Sequence, residues 1–377
     1  MSKLIKGIVI AGPTGIGKTD LAVEIAKRVG GELISCDSVQ VYRDLSIGAN
    51  KTPTSVPQHL IDIADWRSPF TAADFLNICR GCISDIVERD KVPILVGGTG
   101  FYLDWIIEGR PGAPPSDPVM MKMVEEEIKG LEWDKAHKIL QKVDSEYAAK
   151  LMKNDYYRLK RALVVHRTTG KSLSSFKSRS DKADIDWRCF YLSHSNRETL
   201  LRHIDRRCEA MIQNGLIQEV IGLAERGFSV NCQAGRSIGY KETLELLDAL
   251  RKSKEEGEAD RLVVEYIKEF QSQTRQYTRK QEKWFSGKER FLWIERPSLS
   301  GNIEAATIDQ IISLYKLEGL DPDNELVRKS KEFQSVCRSG ESMRRRKGQL
   351  RTFQSHLVVF GSEDMRRKLL EQLKLQQ

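Results

Sequence analysis

The run from Ile8 to Thr19 reads I-V-I-A-G-P-T-G-I-G-K-T. It holds G-x-x-x-x-G-K-[ST] with an apolar strand before it and a helical pattern after it, the context a phosphate loop requires. Glycines let successive backbone N–H groups turn inward around phosphate oxygens. The helix that follows points its positive end at the same place. Gly12, Pro13, Thr14, Gly15, Ile16 and Gly17 are therefore expected to cradle a di- or triphosphate. Lys18 adds a point charge for the outer phosphates, and Thr19 offers a hydroxyl to a metal ion. The loop alone does not say which phosphate compound binds or what is transferred. A second candidate follows Leu33–Ile34–Ser35, where the chain opens into Cys36-Asp37-Ser38-Val39-Gln40. A carboxylate just past a strand's carboxyl end, in an open parallel sheet, sits in the ligand crevice. The competing reading of Asp37 is a helix N-cap. Asp155 to Leu163 sets Arg158, Lys160 and Arg161 on neighbouring turns beside two tyrosines. Such a charge run is usually a solvated face, but tyrosine and arginine both stack on RNA bases.

Elements must bring these groups together. Ile8–Ile10, Leu33–Ser35, Pro93–Val96, Arg188–Ser193 and Phe291–Ile294 read as short buried strands. Helical stripes lie between them: Thr19 to Val29, ended by Gly30-Gly31, and Thr71 to Arg89, with Thr71 as N-cap and Asp74 three residues on. A second Gly-rich turn, Gly97-Gly98-Thr99-Gly100, follows its strand as the first one does. Strands alternating with helices predict an α/β fold, a P-loop doubly wound parallel sheet. Further helices are expected over Leu200 to Arg226, with Gly215 marking a bend or break, and from about Asp260 through the basic stretch Thr274 to Gln281. Cys79 and Cys82 form a C-x-x-C, but they share helical spacing with Phe75, Ile83 and Ile86, so a core face is expected rather than a redox or zinc site. His59 is given no role.

Composition sets the outer bounds. A chain of 377 residues suggests two or three domains. Four prolines in Arg110 to Pro118 mark a hinge, and charged helical sequence follows. The expected organisation is a first core segment at 1–112, a helical insertion at 113–185, a second core segment with basic helices at 186–296, and a partly disordered basic extension at 297–377 with one amphipathic helix near Met365 to Leu373. Sixty-one Lys and Arg against 53 Asp and Glu leave a net charge of +8, compatible with a nucleic-acid partner. No apolar run approaches the about 20 residues of a membrane span. Seven scattered cysteines argue for a reducing compartment. The expectation is a cytoplasmic monomer, or a plastid or mitochondrial protein if a transit peptide precedes this sequence.

Several segments in order resemble one family. They are G-P-T-G-I-G-K-T, D-S-V-Q-V-Y-R from Asp37, H-L-I-D-I from His59, G-G-T-G-F-Y from Gly97, D-Y-Y-R-L-K-R-A-L from Asp155, I-G-Y-K-E from Ile238 and T-R-Q-Y-T-R-K-Q-E-K-W-F from Thr274. In this order and spacing the chain, over about Ile8 to Trp293, is similar to the tRNA dimethylallyltransferases, also called tRNA isopentenyltransferases. The resemblance implies transfer of an isopentenyl-type group from dimethylallyl diphosphate to the exocyclic N6 of an adenine beside the tRNA anticodon. The phosphate loop would then hold a leaving diphosphate, which fits the lack of an obvious Walker-B aspartate. Asp37 is implied as the group that orients N6 and takes its proton. Thr99 is implied as hydrogen-bond donor to the bridging oxygen. Lys18, Mg²⁺ held through Thr19, and Arg207 (or its neighbour Arg206) would neutralise the diphosphate. Asp37, Ser38, Val39, Gln40, Thr99, Arg158, Arg161, Arg236, Lys241, Arg275 and Arg279 are the implied tRNA contacts, with the target base flipped out. Lys122 stands near where the family carries an arginine, a point charge in place of a fork. Ser237 and Thr278 also depart from the usual side chains, and the C-terminal zinc finger of many eukaryotic members is absent. Three alternatives share parts of the pattern: the adenylate isopentenyltransferases of cytokinin synthesis, which act on free nucleotide; an ATP-dependent small-molecule kinase; and a non-catalytic RNA-binding protein.

Overall fold

The structure is a computed structural model describing residues 5–176, 179–180, 185–253, 257–299, 303–338, 353, 355 and 357–374. Its strands are β1 (Ile5–Ala11), β2 (Gly31–Ser35), β3 (Gln58–His59), β4 (Val92–Gly97), β5 (Arg110–Pro111), β6 (Arg179–Ser180), β7 (Ile185–Ser193) and β8 (Phe291–Glu295). Six of them make one sheet in the order β3-β2-β4-β1-β7-β8, with every neighbouring pair parallel. A parallel sheet is covered on both faces, so its central strands are continuous apolar runs. Ile8, Val9, Ile10, Leu33, Ile34, Ile94, Leu95 and Phe190 are all fully buried. Each such side chain contributes about 1.5–3 kcal/mol. The helices of this first part are α1 (Lys18–Val29), α2 (Ala72–Glu88) and α3 (Gly100–Glu108). Gly30 closes α1 in the left-handed region, and a Thr71–Asp74 capping box opens α2. Cys79 is buried on α2 and Cys82 half-buried; none of the seven cysteines forms a disulfide among the described residues. His59 bonds Glu32 at 2.8 Å, and Arg89 bonds the same carboxylate; together they hold it down at about 2.

Contacts divide the chain into two compact units, residues 1–103 with 184–377, and residues 104–183. The second unit holds α4 (Pro118–Ile128), α5 (Trp133–Val143), α6 (Ser145–Ala148) and α7 (Tyr156–Thr169), with β5 paired to β6. Its core packs Val124, Ile128, Trp133, Ala136, Leu140, Leu159 and Leu163. Tyr156 meets Trp133 edge-on at 5.3 Å and donates to the Leu131 carbonyl at 3.1 Å.

In the first unit the chain continues through α8 (Arg197–Gln213), α9 (Leu216–Ala224), α10 (Tyr240–Lys252) and α11 (Glu258–Ser286). The helix expected over Leu200 to Arg226 is broken at Gly215, which sits at φ 98° and caps α9. In the C-terminal extension the helix expected near Met365 to Leu373 is formed, and two further helices go beyond the expectation of a partly disordered segment. α12 (Ala305–Lys316), α13 (Glu325–Arg338) and α14 (Glu363–Lys374) are formed there, and the first two pack on the sheet. Lys6 Nζ donates to the Leu317 carbonyl at 2.7 Å, and Arg188 donates to Leu317 and Glu318. Further on, the amides of Val358, Val359 and Phe360 all donate to the fully buried Glu209 carboxylate of α8, at 2.7–3.0 Å. Arg344–Arg346 and His356 lie outside the described residues.

Candidate active site

Register places three turns side by side. Ala11 pairs with Gly97 and Val96 with Ser35, so the segments after β1, β4 and β2 leave the same carboxyl edge of the sheet. In the first turn Gly15 and Gly17 have φ 80° and 82°, which only glycine adopts freely. Gly17 caps α1 with no side chain, leaving that helix end for an anion. In the second turn the glycines answer to space. A Cβ on Gly97 would lie 2.2 Å from the Cys36 carbonyl oxygen, and one on Gly98 2.0 Å from Gln281 Nε2. Gln281, from the Trp-containing end of α11, ties the turns together: its Oε1 accepts from the Thr14 amide at 2.9 Å and its Nε2 donates to Gly98 O at 3.1 Å. The Thr14 amide is thus already engaged, and the Thr14 hydroxyl accepts from Arg207 Nη1.

Two adjoining cavities meet here, sharing Thr14, Asp37, Ala49 and Arg207. One, of about 290 Å³, is charged and lined by Gly15, Gly17, Lys18, Thr19, His203 and Arg296. The other, of about 240 Å³, has Val39, Met211, Ile238, Phe270 and Tyr277 in its wall. Lys18 Nζ reaches the Pro13 carbonyl at 2.8 Å. Burial and then the nearby Arg207 pull its ammonium down from 10.5 to about 7, against a smaller opposite pull from Asp37. Burial likewise lowers Arg207, and burial with Arg207, Arg206 and Arg296 lowers His203. A concentration of positive groups that disfavour one another is the electrostatic form of an anion site. Arg207, not the exposed Arg206, faces the loop.

Asp37 stands where the cavities join. Its Oδ1 accepts from the amides of Val39 at 2.8 Å and Gln40 at 3.3 Å. The capping reading and the functional reading therefore both hold: one oxygen fixes the turn, and the other has no partner among the described residues. Thr99 opens α3, and its Oγ1 accepts from the Ser38 amide at 3.3 Å. Tyr277, its hydroxyl pushed up mainly by burial, hydrogen-bonds with Thr99 and Gln281. The loop that carries Ala49 is held by Glu219, which accepts from the amides of Ser46, Ile47 and Gly48 and from the Tyr240 hydroxyl at 2.7 Å. Gln281, Tyr277 and Tyr240 lie within the sequence segments quoted above; Glu219 and Arg296 carry no sequence signal.

The other expected contacts divide. Val39 lines the apolar cavity, and Arg236 lines it while donating to the Val230 carbonyl at 2.9 Å. Lys241 and Arg279 are exposed. Gln40 is taken up internally: it accepts from Ser35 at 2.7 Å and donates to Ala49 at 3.1 Å. Arg275 is also internal, paired with buried Asp205 and set over the Phe353 ring at 5.2 Å. In the second unit Lys122 is exposed, and Arg158 is exposed beside Asp155 at 2.6 Å. Arg161 is half-buried and holds the hinge through Ser116 Oγ and the Pro114 carbonyl. These three internal engagements arise because a long polar side chain near unsatisfied carbonyls or a buried carboxylate satisfies them first.

Residues present fit a divalent ion only as a diphosphate-bound partner. Among the described residues no group of three His, Cys, Asp or Glu side chains could hold one. Thr19, with Asp20 and Asp37 on the same cavity, offers the sparse oxygen set that suits Mg²⁺ sharing substrate phosphates.

Comparison with known proteins gives the family. The IPP transferase family model matches residues 40–288, and an isopentenyl transferase model matches residues 5–58. The tRNA dimethylallyltransferase of Protochlamydia amoebophila is 38% identical over 316 residues, 82% of this chain and 89% of the relative. The tRNA dimethylallyltransferase 9 of Arabidopsis thaliana is 35% identical over 331 residues, 77% of this chain and 71% of the relative. A solved structure of a eukaryotic dimethylallyltransferase acting on tRNA superposes with TM-score 0.71 at 28% identity, covering 90% of this chain and 86% of that one. The full-length tRNA isopentenylpyrophosphate transferase of Bacillus halodurans superposes with TM-score 0.57 at 29% identity, covering 87% and 99%. With residues 40–288 matched, more than half of its length, the chain belongs to the IPP transferase family.

Proposed function

We infer that this protein transfers a dimethylallyl group from dimethylallyl diphosphate to N6 of the adenine adjacent to the anticodon of tRNA, releasing diphosphate. The observation that carries the reading is the placement of Asp37, with one oxygen fixed and the other free, at the junction of a cationic cavity and a partly apolar one. The diphosphate lies in the cationic cavity against the loop amides, Lys18 and Arg207. An aromatic amine is a poor nucleophile, because its lone pair is delocalised. Asp37 Oδ2 accepts an N6 hydrogen and orients the amine toward the prenyl carbon. The N6–carbon bond forms, the carbon–oxygen bond breaks, the N6 proton passes to Asp37, and the electron pair leaves on the diphosphate. Such base assistance contributes about 10²–10⁴-fold. Thr99 donates to the bridging oxygen as charge grows there, its Oγ1 held in place by the Ser38 amide. Thr19 would hold a Mg²⁺ ion, which supplies further charge neutralisation on the diphosphate when bound.

Lys122, Arg158, Arg236, Lys241 and Arg279 are our assignments for tRNA phosphate contacts, each exposed and cationic. We assign the protein to a reducing compartment, the cytoplasm, and to action as a monomer; no described helix is long and apolar enough to cross a membrane. Incubation with labelled dimethylallyl diphosphate and either tRNA or AMP tests the acceptor. Label in tRNA supports the reading, and label in AMP alone overturns it.

A further inference from the structure

Arg296 follows β8 directly and is 3% exposed. Its backbone is pinned at both ends: the amide donates to the Ser193 carbonyl at 2.7 Å, and the carbonyl bonds His194 Nδ1 at 2.6 Å. Its Nε donates to the Ser298 carbonyl at 2.8 Å. Glu304 lies beyond hydrogen-bond geometry, at 3.5 Å from that same Nε. The far end of the side chain is different. Nη1 is buried and has no hydrogen-bond partner among the described residues, although a buried guanidinium donor almost always finds one. That end points at the phosphate loop. A Cβ placed on Gly17 would lie 3.2 Å from Nη1 and 3.7 Å from Nη2. Arg296 lines the charged cavity with Lys18, Thr19, His203 and Arg207.

An unpaired buried donor on a cation costs on the order of a few kcal/mol, so its persistence needs a partner that arrives from outside. The positive end of α1, Lys18 and Arg207 already select an anion at this spot. We propose that Arg296 is a third cationic ligand of the diphosphate, gripping it from the β8 side of the loop while Lys18 and Arg207 grip it from the α1 and α8 sides. The assignment rests on the diphosphate occupying the phosphate loop as inferred above. It also gives Gly17 a second reason to lack a side chain, since a methyl group there would press on the guanidinium.

Inorganic pyrophosphate is the probe, with binding and thermal unfolding measured on the full chain for wild type, Arg296→Gln and Lys18→Met. A ligand role predicts that Arg296→Gln weakens pyrophosphate binding tenfold or more and shrinks the pyrophosphate-induced rise in Tm. The unliganded Tm changes little, because the Nη1 end has no partner among the described residues to lose, and tRNA affinity is unchanged. A purely structural role predicts the reverse, a lower unliganded Tm with pyrophosphate affinity intact, and that result overturns the proposal. If Arg296→Gln does not fold, Arg296→Lys carries the same comparison, since a point charge cannot replace the fork; several-fold weaker binding supports the assignment and unaltered binding overturns it. The Lys18→Met arm separates the two inferences. Loss of binding there with none at Arg296 rejects only this proposal, whereas no loss in either variant rejects the loop as the diphosphate site.

Discussion

Lys18 offers a proton-linked test of the anion site. Its ammonium titrates at about 7 in the unliganded protein because burial and Arg207 disfavour its charge. A bound diphosphate reverses both effects and restores the charge. At pH 8 a group titrating near 7 is about nine-tenths neutral, so binding should take up about 0.9 proton per site. Dimethylallyl diphosphate without tRNA is a suitable ligand, because a phosphate ester completes its last ionisation near pH 6. Calorimetry in buffers of different ionisation enthalpy reads the proton count directly. Between pH 8 and 9 the Kd should rise about tenfold, the full slope for one linked proton. Lys18→Arg keeps its charge across that range and should flatten the slope. The same shift affects folding with the opposite sign to a stabilising pair. The folded value lies below the unfolded 10.5, so between about 7 and 10.5 the unfolded chain holds the extra proton. Unliganded stability should therefore rise with pH in that window, and Lys18→Met should be more stable than wild type at pH 7. No proton uptake at pH 8, together with a flat Kd, would refute the electrostatic reasoning.

Other perturbations separate neighbours that look alike. Gly97→Ala meets the Cys36 backbone, which cannot yield, and should cost about 3 kcal/mol. Gly98→Ala meets chiefly the movable end of Gln281, with the Gly12 carbonyl oxygen at 3.3 Å beyond it, so by calorimetric unfolding most of its cost should be relieved in a Gln281→Ala background. Arg158→Ala should lower the salt slope of tRNA binding by about 1 without moving Tm, while Arg161→Ala should lower Tm through the lost Ser116 and Pro114 bonds. Glu209→Ala strips three amides of their acceptor, a loss of about 3 kcal/mol, and should expose the segment after 352 to limited proteolysis.

The sheet and its turns were readable because strands covered on both faces must be apolar throughout, and because glycine at Gly15, Gly17, Gly97 and Gly98 answers a local demand. The C-terminal helices were not. On α13 the buried positions are Val327, Ser330, Gln334 and Cys337, a helical stripe with two polar members, so hydrophobic periodicity misses it. Arg158 and Arg161 sit in one basic run, and sequence cannot say which of them turns back onto Pro114 and Ser116. Arg296 reads as an ordinary polar residue after a strand; only the register of β8 beside β7 and the depth of the crevice aim it at Gly17. Asp37 shows the limit from the other side, since a turn cap and a free carboxylate oxygen are properties of the same side chain.

The central claim is that Asp37 takes the N6 proton while the loop holds the departing diphosphate. The most direct measurement is single-turnover prenylation of tRNA by wild type and Asp37→Asn, followed by mass spectrometry of the nucleosides. Asparagine cannot accept the proton but retains an oxygen for the Val39 and Gln40 amides, so tRNA and donor binding should persist while the rate falls about 10²–10⁴-fold. An isopentenyl adenosine product formed at an undiminished rate by Asp37→Asn would contradict the account.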